Sequence, residues 1–417
     1  MNETMDDESY ARAALTYLAE PADRVLGALL RAHGAARILE AIKGENEDGA
    51  LLLGAFGREA AGTGLDGLDL ETPSMDDAGT GRPVPSSVRR AIERWRVRLS
   101  EVPAPEDVMA FRRSGIRLIC PGDPEWPSQL ADLGDAQPYA LWLRGSADLR
   151  FSCLRSVAIV GSRAATSYGC YVAADFGASV AQRGWSVVSG CAFGIDVSAH
   201  RGALSATDGV TIAVLACGVD VPYPAAHADL LDAIAAQGVV ASEWPPGRQV
   251  SRLRFLVRNR VIAALATGTL VVEAAERSGA VNTARNARDL GRRLMAIPGP
   301  ISSVMSVGCH RIIRDWQATL VTTADEVLEH LSPLGTARAA TDSPGGEPVK
   351  PVVLGRDALG YEAATVLDAL PRRGGMGTSR IGQRAGLPPA VVVRCLGELA
   401  SAGFTERCEQ GWRLRRT

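Results

Sequence analysis

The stretch Val157-Ala158-Ile159-Val160-Gly161-Ser162-Arg163 decides the fold. A short apolar, β-branched run ends on two small residues and an arginine, and helical periodicity follows from Tyr168 to Arg183. The unit then recurs. Trp185–Val188 reads as a strand leading into Ser189-Gly190-Cys191-Ala192-Phe193-Gly194-Ile195-Asp196 and a helix. Thr211–Cys217, Gly238–Ser242, Gly268–Glu273 and Arg292–Pro298 complete the set of strands. Short apolar strands alternating with amphipathic helices mean βαβ units and a parallel sheet covered on both faces. The expected fold is α/β, a Rossmann-like doubly wound and mainly parallel sheet, over residues 151–332.

Outward from that domain the chain changes character. Leu26, Leu29, Leu30, Ile38, Leu39 and Ile42 recur at helical spacing, with a break at His33–Gly34. An N-terminal helical unit, SAM-like or helix–hairpin–helix-like, is expected over 1–85. Its latter part, 44–85, is polar, acidic and rich in Gly, Asp and Thr, and reads as a flexible insertion. Within it Gly62-Thr63-Gly64-Leu65-Asp66-Gly67 matches a dinucleotide loop, but no strand precedes it, no helix follows and its surroundings are acidic. Residues 86–150 form a connecting segment and 333–357 a Pro/Gly/Ser linker. In 358–417, three helical patterns and an alternating Phe404–Leu414 predict a winged helix.

The 417 residues carry a formal net charge of −2 that hides opposed blocks. Of 45 basic residues only Lys43 and Lys350 are lysines. Residues 1–80 hold 16 acids against 6 bases, whereas 248–314 hold 12 arginines against 3 acids. The tail from 372 is again arginine-rich. Such asymmetry points to one region that meets a polyanion. Eight cysteines include no CxxC pair and five histidines are scattered, so neither a zinc site nor a disulfide framework is expected. No apolar run is long enough for a membrane helix, and the acidic start is no signal peptide, so a cytoplasmic protein without membrane contact is expected.

Ligands of doubly wound sheets bind outside the carboxyl ends of the strands. Gly161, Ser162 and Arg163 there offer backbone N–H groups and a permanent cation to a phosphate. Ser189, Gly190, Phe193 and Gly194 repeat the design, with Asp196 read as a helix cap rather than a ligand contact. Arg252–Arg260 places four arginines in nine residues with no acid among them; Arg254 and Arg258 share a helix face and would repel unless an anion bridges them. Arg254, Arg258, Asn259 and Arg260 are therefore candidate contacts. Phe255 is open to stacking on a base or to core packing. Ser278 and Gly279 before a helix form another anion site, and Glu273 reads as a partner for the arginines. No Walker loop, HExxH, GxSxG elbow or nuclease carboxylate cluster is present, so no catalytic apparatus is expected.

Taken together, Gly161-Ser162-Arg163, Ser189-Gly190-x-Ala192-x-Gly194-Ile195-Asp196, Arg258-Asn259-Arg260, Val272-Glu273-Ala274 with Ser278-Gly279, Ala296-Ile297-Pro298-Gly299 and Ser306-x-Gly308 resemble, in order, the DNA-processing protein DprA (Smf) family. Pro121–Pro127 and Leu143-Arg144-Gly145 extend the likeness, which runs from about 115 to 331. The resemblance implies a dimeric single-stranded DNA-binding protein of natural transformation and recombination. Such proteins protect incoming strands and load the RecA recombinase, with no cofactor. It places Arg163 in the DNA pocket and Arg258–Arg260 at its border. Phe193 departs from the family, standing where a basic residue is common, so that a phosphate contact is lost or replaced by stacking. Leu256, His310 and Asp315-Trp316-Gln317 depart too. Two rivals are a nucleotide-processing Rossmann-like hydrolase, whose Pro-Gly-Gly-x-Gly-Thr loop is missing here, and a winged-helix regulator reading duplex DNA with Arg394.

Overall fold

The computed structural model describes residues 5–44, 86–332, 359–371, 374–408 and 410–415. The acidic stretch from 45, its glycine motif and the 333–357 linker lie outside them. The chain divides into two compact units, Met1–Leu334 and Gly335–Thr417.

The first unit opens with helices α1 (Asp7–Leu18), α2 (Arg24–Ala32), α3 (Ala35–Lys43), α4 (Ser86–Arg96) and α5 (Pro105–Arg113). Strands β1 (Ile116–Ile119) and β2 (Leu141–Arg144) and helix α6 (Leu149–Leu154) follow. Next come β3 (Ser156–Val160), α7 (Ser167–Gln182), β4 (Ser186–Ser189), α8 (Ile195–Ser205), β5 (Thr211–Val214), α9 (Ala228–Gln237) and β6 (Val239–Ser242). The unit ends with α10 (Arg252–Leu265), β7 (Gly268–Val271), α11 (Gly279–Asp289), β8 (Arg293–Ala296), α12 (Val307–Trp316), β9 (Thr319–Leu320) and α13 (Ala324–Leu331).

All nine strands join one sheet in the order β1-β2-β6-β5-β4-β3-β7-β8-β9. From β6 to β9 every pairing is parallel; β2 pairs antiparallel with β6, and β1 with β2. The connecting segment thus supplies two antiparallel strands at one side of the sheet, with β1 at its edge, that the periodicity of the parallel domain did not announce. β3 to β7 are buried along their whole length, as a sheet with both faces covered demands. Val157 and Ile159 pack on one face with Phe176 of α7 and Ala199 of α8, while Ala158 and Val160 pack on the other with Val261 and Ile262 of α10. The strand order reverses between β3 and β7, which puts the switch point of the sheet, where ligands of such folds gather, beside Gly161.

The N-terminal helices share a core of Leu15, Leu18, Leu26, Leu29, Ile38, Ile42 and Trp95. They are tied to the sheet: the Trp142 indole N–H of β2 donates to the Thr16 hydroxyl at 3.2 Å, and Arg12 donates to the Tyr139 carbonyl at 3.1 Å. In the second unit α14 (Tyr361–Ala369), α15 (Thr378–Ala385) and α16 (Pro389–Ser401) surround Val366, Ile381, Val392, Leu396 and Leu399. β10 (Thr405–Cys408) and β11 (Gly411–Leu414) form an antiparallel hairpin beside them.

Candidate nucleic-acid interface

The switch point is occupied by the protein itself. Glu273, buried just past β7, accepts the Thr166 backbone N–H at 2.9 Å and its hydroxyl at 2.5 Å, directly at the N-terminus of α7. A Cβ on Gly169 would lie 2.4 Å from that carboxylate. Glu273 therefore satisfies the helix end that the sequence reading offered to a phosphate. Its partner is α7, not the arginines. Gly161 is likewise spent on packing, since a Cβ there would meet Ile195 at 2.4 Å. Buried Ser162 accepts the Ala164 N–H at 3.1 Å, and its own N–H donates to the Glu273 carbonyl at 2.7 Å.

The second loop is built inward too. The Ser189 hydroxyl is buried and donates to the Ile159 carbonyl at 2.7 Å. Gly190 covers Arg258; a side chain there would start 2.3 Å from the guanidinium. Gly194, at φ 77°, is the N-cap of α8, so Asp196 is not the cap that was expected. Its carboxylate instead accepts the Ala192 N–H at 3.3 Å and braces the loop from below. Burial pushes the Asp196 carboxyl up, while the charge of Arg258 pulls it back. His200, one turn further on, is fully buried and burial lowers it to about 3.

The arginine helix divides by face. Arg258 is 4% exposed and donates to the carbonyls of Gly190, at 2.7 Å, and Val214. Burial lowers its pKa against the opposing pull of Asp196. Arg260 makes a buried two-pronged pair with Glu243, both contacts at 2.6 Å. Asn259 donates to Gly279 and Asn282 of α11 at 3.3 and 3.2 Å. Arg254 grips Glu20, between α1 and α2, at 2.6 and 3.1 Å. The expectation of four solvent-facing contacts is corrected: α10 lies against the sheet, so its polar side chains on that face must find internal partners. The acids that neutralise them, Glu20 and Glu243, lie 234 and 17 residues away in sequence and left no local signal.

Arg163 is different. It is exposed, and among the described residues no carboxylate pairs with it. Its guanidinium lies 4.5 Å from the centroid of the Phe255 ring. Phe255 in turn tilts against Tyr223 at 5.6 Å, and half-exposed Phe193 meets the His227 ring edge-on at 4.7 Å. Tyr223 and His227 escaped the sequence reading, though they follow β5 and so had to lie at the same rim. Ser278 caps α11 by accepting the Val281 N–H at 3.4 Å, and Gly279 beside it is exposed with open space above. A cation on an aromatic face, bordered by two more accessible rings, suits an unpaired strand: it takes phosphate and base together.

The comparisons agree with this fold. The profile of the family described as DNA recombination-mediator protein A matches residues 117–332. The chain belongs to that family. A putative DNA processing protein DprA of Mycobacterium tuberculosis (strain H37Rv) is 43% identical over 324 residues, covering 75% of this chain and 80% of that protein. The X-ray structure of DprA from Streptococcus pneumoniae superposes with a TM-score of 0.55 at 29% identity, over 78% of this chain and 98% of that one. DprA from Helicobacter pylori, whose structure is described for its single-stranded DNA binding mode, aligns at 26% identity and a TM-score of 0.47 over 52% of this chain and 95% of its own. As a recombination-mediator protein A relative, the chain works in DNA processing.

The other predicted features are placed as follows. Arg394 on α16 is paired with Glu362 and, at 3.8 Å, with Glu398. Among the described residues no cluster of His, Cys, Asp or Glu is arranged for a metal, and no helix is long and apolar enough to cross a membrane.

Proposed function

We propose that this protein binds single-stranded DNA across the rim carrying Arg163, Phe193, Tyr223, Phe255 and the Ser278–Gly279 helix end. In this reading it shields strands during recombination or transformation and loads a RecA-type recombinase onto them. It acts as a cytoplasmic homodimer, with no cofactor and no chemical step. The observation that carries the reading is the unpaired, exposed Arg163 lying on Phe255. Arg254, Arg258 and Arg260 are all internally bonded, whereas Arg163 is exposed and forms no ion pair among the described residues, which supports its availability to a phosphate. Gly161, Ser162, Ser189, Gly190, Gly194, Arg258, Asn259 and Arg260 serve the site by holding the rim in shape. The second unit is read as a winged helix giving an auxiliary contact, since the acids flanking Arg394 weaken it as a duplex reader.

The test is a titration of a labelled oligothymidylate and of a duplex at two salt concentrations. Tighter single-strand binding that falls steeply with salt is expected. Equal affinity for duplex, or no binding to either, overturns the proposal. RecA filament assembly on the same strand, with and without the protein, tests the loading step.

A further inference from the structure

We propose that Glu20 restrains strand binding by holding Arg254 away from the phosphates; the inference rests on the single-strand reading above. Glu20 follows α1, and its carboxylate gathers three donors: Arg254 at 2.6 and 3.1 Å, the Trp244 indole N–H at 3.1 Å and Arg98 at 3.3 Å. Arg254 is also held by the Gln249 carbonyl and lies over the Trp244 ring. Its side chain is only 14% exposed, although the next residue is Phe255, the platform of Arg163.

The two ion pairs of α10 differ in one respect. In Arg260–Glu243 the side chains are only 9% and 3% exposed. In Arg254–Glu20 the carboxylate is 45% exposed. Burial pushes Glu20 up, but the hydrogen bonds from Arg254 and Trp244 and the charge of Arg98 outweigh it, so it remains an anion at neutral pH. A phosphate diester offers an arginine the same geometry as a carboxylate: two oxygens, one charge. The pair is therefore exchangeable by anion replacement. The strand presents the phosphate, Arg254 transfers to it, and Glu20 keeps Arg98 and Trp244. Until then the carboxylate both cancels the charge of Arg254 and repels the incoming backbone.

Glu20→Gln keeps an acceptor for Trp244 and removes the charge. In the full-length protein it should bind oligothymidylate severalfold more tightly at low salt, with a log–log salt slope steeper by about 0.7, one additional phosphate contact on a single strand. The gain should vanish in the Glu20→Gln/Arg254→Ala double variant. Glu20→Asp, which withdraws the carboxylate by one methylene, should give a smaller gain and serves as the readout where Glu20→Gln lacks a cooperative melt. Unchanged or weaker binding by the folded variants overturns the proposal. So does a gain that survives Arg254→Ala, because it would then come from lost repulsion alone. Failure of the unmodified protein to bind single strands would instead remove the functional reading itself.

Discussion

The Arg163 guanidinium rests 4.5 Å from the centroid of the Phe255 ring and meets no carboxylate among the described residues. The contact orients a permanent cation without cancelling its charge, which leaves the cation ready for an anion. Arg163→Ala should therefore weaken oligothymidylate binding in all sequence contexts and flatten the salt slope by about 0.7. Its thermal melt should not move, because the side chain is exposed. An unaltered titration curve contradicts the assignment.

Phe193 stands half-exposed at the same rim, edge-on to His227. On the single-strand reading a ring there would contribute through base stacking, which salt does not screen. Phe193→Ala should cost about 1–3 kcal/mol of single-strand affinity at an unchanged salt slope. Phe193→Lys should steepen the slope instead. Oligonucleotides with abasic sites should bind the unmodified protein and Phe193→Ala with the same affinity; a persisting difference excludes stacking.

Arg260 and Glu243 lie within the fold, and removing one partner strands the other's charge away from water. Arg260→Met should destabilise the protein by about 3–5 kcal/mol, and adding Glu243→Met should restore most of the loss. Chemical denaturation of the three variants measures it. The salt slope of DNA binding by the folded double variant should match that of the parent, since neither side chain faces the strand.

His200 supplies a pH signature. The Thr211 hydroxyl gives its proton to the Val187 carbonyl at 2.8 Å, so it must accept from His200 Nδ1 at 2.7 Å. Nε2 is buried without a partner, and a proton there would be unsatisfied. The folded state holds the ring neutral down to about pH 3, whereas the unfolded chain protonates it near 6.5. This stabilisation is complete above pH 6.5 and fades as pH falls towards 3, by at most about 1.4 kcal/mol per pH unit. Thermal melts between pH 6.5 and 4.5 should show that slope, and His200→Gln should remove one proton's worth of it. An identical pH dependence in both proteins refutes the account.

Much of the fold could be read from local pattern. Strands buried on both faces must be uniformly apolar, so β3 to β8 announced themselves within a residue or two, apart from β5, whose apolar run continues beyond the strand, and α7 did so by its helical periodicity. The antiparallel β1 and β2 did not, because β2 joins the sheet by pairing with β6 across about a hundred residues of chain and β1 is placed only through β2.

For the site, amino-acid order pointed to the loops after the parallel strands, where the glycines and Arg163 collect, and to the arginines of α10. It could not say which groups face outward. That depends on partners brought together by folding: Glu20 on Arg254, Glu243 on Arg260, the Gly190 and Val214 carbonyls on Arg258, and Glu273 on the end of α7. A charge is available to a ligand only when the fold leaves it unpaired, and pairing is a property of three-dimensional neighbours. Composition showed where arginines cluster; tertiary structure decided which of them are paired and left Arg163 exposed on Phe255.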